Sequence, residues 1–188
     1  MPTTWSHAQN IGPRGYTCGF CGKDVGPNMG FIPSDGTQNR IYVCSFCGKP
    51  TYFDADSRQY PGVAYGSKVE HLPHEIEVLY NDARNCASVS AYTPAVLTCR
   101  KLLMHIAVSK GAEEGKSFLQ YVEFLSQKGY VPPDGKGWVD HIRDRGNEAN
   151  HEIKIMSADD AESLIQFSEM LLKLVFEFPK KVPIKPTK

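Results

Sequence analysis

The chain has 188 residues with 21 basic and 21 acidic side chains, long enough for one full core and a small appended module, with no net charge. Neutrality excludes recognition of nucleic acid through bulk charge alone, since residues 1–52 hold four Lys/Arg against two Asp/Glu and the remainder 17 against 19. No apolar run is long enough to span a bilayer, and the opening Met1-Pro2-Thr3-Thr4-Trp5 lacks the basic start and apolar stretch of an export signal, so a cytoplasmic protein with no membrane partner is expected.

The first feature along the chain is a repeat: Cys18-Gly19-Phe20-Cys21-Gly22-Lys23 and Cys44-Ser45-Phe46-Cys47-Gly48-Lys49. Each pair presents two thiolates from a tight turn, and two such turns complete a tetrahedral four-sulfur site. Gly26-Pro27, Asp35-Gly36 and the short apolar run Arg40-Ile41-Tyr42-Val43 fit two hairpin arms clipped by one ion. Disulfides or unrelated buried thiols are the alternatives, and a reducing compartment favours metal. Residues 1–52 are therefore read as a zinc ribbon, with Cys18, Cys21, Cys44 and Cys47 as ligands of a structural zinc. Four thiolates leave no open position on the ion, so any catalysis lies elsewhere.

Residues 53–72, with Tyr60-Pro61-Gly62 and Tyr65-Gly66-Ser67, read as a connector. His71 and His74 flank a proline at its end and lack a third ligand. From Pro73 the apolar period becomes helical, and five helices are expected over residues 73–178. The first places Ile76, Leu79, Ala83, Cys86 and Ala87 on one face. The second has Thr93 as cap before Pro94, with Val96, Leu97, Leu102, Leu103, Ile106 and Ala107 inward. The third runs from Lys116 to Gln127, with Phe118, Leu119, Val122 and Leu125 inward and Gly129 as its stop. A turn at Val131-Pro132-Pro133-Asp134-Gly135 precedes a fourth, from Trp138 to His151. The fifth opens with a capping box at Ser157 and Asp160 and ends before Pro179, leaving 179–188 as a basic Pro/Lys-rich tail. Cys86 and Cys99 on these helices read as small buried hydrophobes, and His105 as a packed or half-exposed histidine. The expected class is α+β overall: a small ribbon of β-hairpins, then an all-α bundle.

The fourth helix carries the unusual chemistry. Val139, Ile142, Gly146 and Ala149 take its core face. Beside them Arg143, Asn147 and His151 recur every four residues, stacking a cation, an amide and an imidazole in one band. Arginine can neutralise a phosphate, histidine can move a proton near neutral pH, and asparagine can orient either. A helix crossing in which Asn147 and His151 satisfy each other while the arginines are solvated is the alternative.

Residues from about 73 to 178 resemble the family called domain of unknown function 4145. The resemblance rests on Tyr92-Thr93-Pro94-Ala95-Val96-Leu97-Thr98-Cys99-Arg100-Lys101-Leu102-Leu103, on Ile142-Arg143-Asp144-Arg145-Gly146-Asn147-Glu148-Ala149-Asn150-His151, and on Ser157-Ala158-Asp159-Asp160-Ala161-Glu162. It implies a bundle related to the HEPN all-helical superfamily, commonly dimeric and often preceded by a zinc ribbon. Active relatives cleave RNA without a metal, using an arginine followed by four to six residues and a histidine. Arg145 and His151 have five residues between them, yet on a straight helix they lie about 120° apart. Arg143 shares a band with His151, but seven residues separate them. Either Gly146 interrupts the helix and Arg145 serves, or Arg143 serves at an altered site.

Two functions follow as expectations. One is a metal-independent endoribonuclease in defence against foreign genetic elements, with His151, Arg143, Arg145 and Asn147 as its catalytic residues. The other is a non-catalytic adaptor for nucleic acid or protein, the polar band being structural or a dimer contact. A homodimer is expected in either case, RNA is the candidate partner, and no nucleotide cofactor is called for.

Overall fold

The computed structural model describes residues 3–131 and 155–181. The chain divides into two compact units, Met1–Ala64 with Ser88–Ser90, and Tyr65–Ala87 with Ala91–Lys188.

The first unit is built from very short strands: β1 (Gln9–Asn10), β2 (Tyr16–Thr17), β3 (Asp24–Val25), β4 (Met29–Phe31), β5 (Arg40–Val43), β6 (Pro50–Phe53) and β7 (Gln59–Tyr60). They form an antiparallel five-stranded sheet in the order β1-β4-β5-β6-β7 and a separate β2-β3 hairpin. β7 lies within the stretch read as connector. Along β5 and β6 the side chains alternate. Tyr42, Thr51 and Phe53 are buried, and Tyr16 packs edge-on to Phe53 at 5.1 Å between centroids. On the other face Tyr52 meets Trp5 and Tyr60, both of which stay exposed. Strands of two to four residues enclosing so few buried side chains make a thin core, the situation in which small modules depend on a metal.

Four helices make the second unit: α1 (His74–Ser88), α2 (Tyr92–Ser109), α3 (Phe118–Gln127) and α4 (Ala158–Leu172). Four are found among the described residues where five were expected, and the expected helix from Trp138 to His151 lies outside them. α2 is the central element, packed against both α3 and α4. Its Ala95, Cys99, Leu102, Leu103, Ile106 and Ala107 are fully enclosed, as are Val122 and Leu125 of α3 and Ile165, Phe167, Leu171 and Leu172 of α4. Ile76, Tyr80, Ala83 and Ala87 of α1 join the same core.

α4 begins where the sequence signals it, after Ser157, whereas α3 begins at Phe118 and not at Lys116, on a capping box at Ser117 that the sequence reading did not name. Ser117 Oγ accepts the Gln120 amide while Gln120 Oε1 accepts the Ser117 amide at 2.8 Å, and Ser157 and Asp160 repeat the exchange at the start of α4. Three further expectations are corrected. α2 starts at Tyr92, so Thr93 is not its cap; Thr93 Oγ1 instead accepts the Met156 amide at 3.0 Å, and Pro94 lies in the first turn, where no amide donor is needed. Leu97 is 52% exposed, because the buried stripe of α2 passes through Val96 and Arg100. The last helix does not stop before Pro179: α4 widens into a π-helical segment, Lys173–Glu177, and continues through Phe178–Lys181. In an α-helix Pro179 would clash with the carbonyl four residues back, and a wider turn just before it relieves that crowding.

Candidate metal centre

Each cysteine pair sits at the end of a hairpin. β2 leads into Cys18 and β3 leads away from Lys23; β5 leads into Cys44 and β6 follows Lys49. The two turns share one set of hydrogen bonds. The amides of Cys18 and Gly22 donate to the carbonyls of Lys23 and Cys18 at 2.9 and 2.8 Å, and those of Cys44 and Gly48 to Lys49 and Cys44 at 3.0 and 2.9 Å. Gly22 and Gly48 hold φ of +68° and +70°, the left-handed conformation that only glycine adopts without strain, which is why each second cysteine is followed by glycine.

The repeat places four sulfurs together. All lie within 4.8 Å of one another, Cys18 Sγ being 3.8 Å from Cys47 Sγ and Cys21 Sγ 3.9 Å from Cys44 Sγ. A disulfide requires about 2.05 Å, so the cysteines are not oxidised in pairs. Bonds of about 2.3 Å to one central ion put tetrahedral sulfurs about 3.8 Å apart, which matches these two distances. Both of these approaches cross between the two turns, so an ion here would tie the two hairpins together. Cys18 and Cys44 are buried, and Cys21 and Cys47 half-buried.

The protonation of the metal-free cluster is uneven. Cys44 is held down to about 7, chiefly because the Cys47 amide points at its sulfur from 3.5 Å. Cys47 is pushed up to about 11: the Lys49 amide favours its thiolate, but burial and the three neighbouring sulfurs outweigh that. Cys21 is raised for similar reasons, the Lys23 amide being outweighed. Four thiols this close cannot all ionise without a cation between them, so the cluster has a strong electrostatic demand for one. Tyr16 feels the same charge: burial raises its pKa first, and Cys18, Cys44 and Cys47 add to the rise.

Around the sulfurs the turns exchange side chains. Lys23 of the first turn places Nζ 3.5 Å from the ring centroid of Phe46 in the second, and Lys49 of the second sits 4.9 Å above Phe20 in the first. The sequence repeat contains all four residues, but nothing in its spacing shows that each lysine caps the ring of the opposite turn.

The repeat is broken at one position, Gly19 against Ser45, and the surroundings explain it. A Cβ at Gly19 would lie 2.5 Å from the Pro61 carbonyl oxygen and closer still to that of Gly62, whereas Ser45 is exposed.

The proposed catalytic residues Arg143, Arg145, Asn147 and His151 lie outside the described residues. Of the others weighed, Cys99 is sealed in the core, and burial pushes its thiol up to about 12, which leaves it inert. Cys86 is half-buried and His105 exposed. His71 and His74 are exposed and join no metal-binding group among the described residues. Three charged residues of the second unit escaped the sequence reading. Arg100 is buried on α2 with its guanidinium 4.5 Å above Phe118. Glu169 and Glu177 reach back to accept the amides of Ser67 and Glu70, each at 2.9 Å, and each pairs with a lysine four residues on, Lys173 and Lys181. The i,i+4 spacing of those pairs was legible; their backbone partners about a hundred residues away were not.

Neither the curated proteins nor the solved structures contain a match to this chain. A family model described as Domain of unknown function (DUF4145) matches residues 81–187, more than half of the sequence, and the chain belongs to that family.

Proposed function

We propose that this protein acts on RNA, with a structural zinc in the ribbon and a metal-independent cleavage site on the segment that holds Arg143, Arg145, Asn147 and His151. The carrying observation is the recurrence of Arg143, Asn147 and His151 every four residues, with Arg145 between the first two in sequence, within the matched family region. His151 would take the proton of the ribose 2′-hydroxyl or give one to the leaving oxygen. Arg143 or Arg145 would balance charge on the pentavalent phosphate, and Asn147 would hold the imidazole or the phosphate. DNA lacks the attacking hydroxyl and is spared. Such an enzyme belongs to the HEPN-like class and suits defence against foreign genetic elements. For the ribbon, four soft thiolate donors at tetrahedral spacing favour zinc over harder ions, and a site closed by four sulfurs stabilises the fold. A symmetric dimer fits the exposed Leu174 and Phe178 near the end of the last helix.

The test is incubation of the purified protein with mixed RNA, free divalent ions being chelated and zinc retention checked by metal analysis. Cleavage by the wild type and its loss in a folded His151→Ala variant is the expected result. A second reading, a non-catalytic adaptor, is favoured by one observation. Among the described residues, the buried carboxylates Glu177 and Asp160 and the largely buried Glu169 are engaged with backbone amides, so their acceptor capacity is spent on holding the fold. Intact RNA in every arm establishes that reading.

A further inference from the structure

We propose that the two cysteine turns of the ribbon form a docking surface for single-stranded RNA, Phe20 and Phe46 stacking on bases while Lys23 and Lys49 meet the adjoining phosphates. The choice of RNA rests on the function proposed above; the stacking surface itself does not. Phe46 is 61% exposed and Phe20 47%, although both flank the buried sulfurs of Cys18 and Cys44. Each ring already carries an ammonium group over one face. A ring capped on one side and still about half open to solvent must present its other face or edge outward. An aromatic face with a cation at its margin is the arrangement that holds a single strand, because every base has a π-face and every linkage a phosphate.

Charge does not oppose the same occupant. Neither six-residue turn contains an acidic side chain, and the nearest in sequence, Asp24, accepts a hydrogen bond from Thr17 Oγ1. When zinc is bound the tetrathiolate carries a charge of −2, which the two lysines offset. The surface is then nearly neutral, so stacking, more than long-range attraction, supplies the affinity. Two phosphate contacts give a shallow salt dependence, with log K falling by about 1.4 per decade of salt. The two turns are related by the sequence repeat, so both stacking positions are of one kind, and stacking tolerates any base.

The experiment measures fluorescence anisotropy of a labelled 2′-O-methyl oligouridylate with the full zinc-loaded chain. That probe cannot be cut through the 2′-hydroxyl, so binding is read whether or not the protein is a nuclease. Binding at micromolar protein is expected, with a loss of about tenfold or more on Phe46→Leu and again on Phe20→Leu. Leucine keeps the apolar bulk but cannot stack, and Phe46→Trp should restore binding. Zinc content and circular dichroism of each variant separate a lost contact from a lost fold. Absence of binding by the wild type at tens of micromolar overturns the proposal. So does unchanged affinity in zinc-loaded leucine variants, which would leave the rings as covers for the sulfurs. A preference for a DNA strand of equal length overturns the choice of RNA, and capture of a protein with no affinity for any strand overturns the surface assignment.

Discussion

Lys23 stands 3.5 Å above the ring centroid of Phe46, which belongs to the other cysteine turn, and Lys49 returns the contact to Phe20 at 4.9 Å. The two turns are thus joined both through the sulfurs and by a crossed pair of cation–aromatic contacts. At exposed sites such a contact contributes about 0.5–1 kcal/mol. Lys23→Ala is expected to cost about that much and Lys49→Ala less, given its longer approach. The measurement is the rate of zinc loss to a chromogenic chelator; equal rates in both variants and the wild type would remove the contacts from the account.

The asymmetry at Gly19 and Ser45 gives a sharper expectation. Gly19→Ser drives a side chain into the carbonyls of Pro61 and Gly62, while Ser45→Gly removes an exposed hydroxymethyl group. The first variant should lose zinc and ribbon structure, and the second should match the wild type within about 0.5 kcal/mol. Metal analysis and thermal unfolding of the pair decide it.

Zinc binding should weaken as pH falls. In the metal-free cluster the Cys44 thiol is held down, but those of Cys21 and Cys47 are pushed up and keep their protons near neutrality. An entering ion must therefore expel protons, and its affinity rises with pH. Competition with a chelator at pH 6, 7 and 8 tests the sign. Cys44→Ser should abolish stoichiometric binding while the helical circular dichroism of the bundle largely persists, because the two units have separate cores.

Glu169 and Glu177 tie the bundle to acid stability. Burial raises Glu169, but Lys173 and the Ser67 amide outweigh it; Lys181 and then the Glu70 amide lower Glu177. Both folded pKa values lie below the ordinary carboxylate value, so the stabilisation is present above that value and lost as pH falls through the lowered ones. Denaturant unfolding at pH 7 and pH 3 should show the loss. Glu169→Gln should flatten the difference, at a cost of about 0.5–1.5 kcal/mol at pH 7, because the one remaining acceptor oxygen can serve only the Ser67 amide or Lys173.

In the proposed active segment, Arg143→Ala and Arg145→Ala should differ. The one whose guanidinium meets the phosphate loses about a hundredfold or more in cleavage rate, and the other stays near the wild type. Light scattering at tens of micromolar should report a dimer, and a monomer would remove a two-chain cleft from the mechanism.

What the sequence determined by itself was local and short-range. Cys18 and Cys21, and Cys44 and Cys47, each lie within one tight turn, and the glycine after each second cysteine follows from the backbone conformation there. The capping box at Ser157 spans three residues, so it too was legible, as was the apolar stripe of α3. The tertiary structure decided what depended on partners distant in the chain. Thr93 was drawn from capping to the Met156 amide, Leu97 turned outward, and a π turn carried the last helix past Pro179. The need for glycine at position 19 comes from backbone some forty residues later, and Glu169 and Glu177 bind amides about a hundred residues earlier. Spacing within a turn or helix sets which side chains a residue can reach locally, but which neighbour fills the space beside it is settled only when separate elements pack.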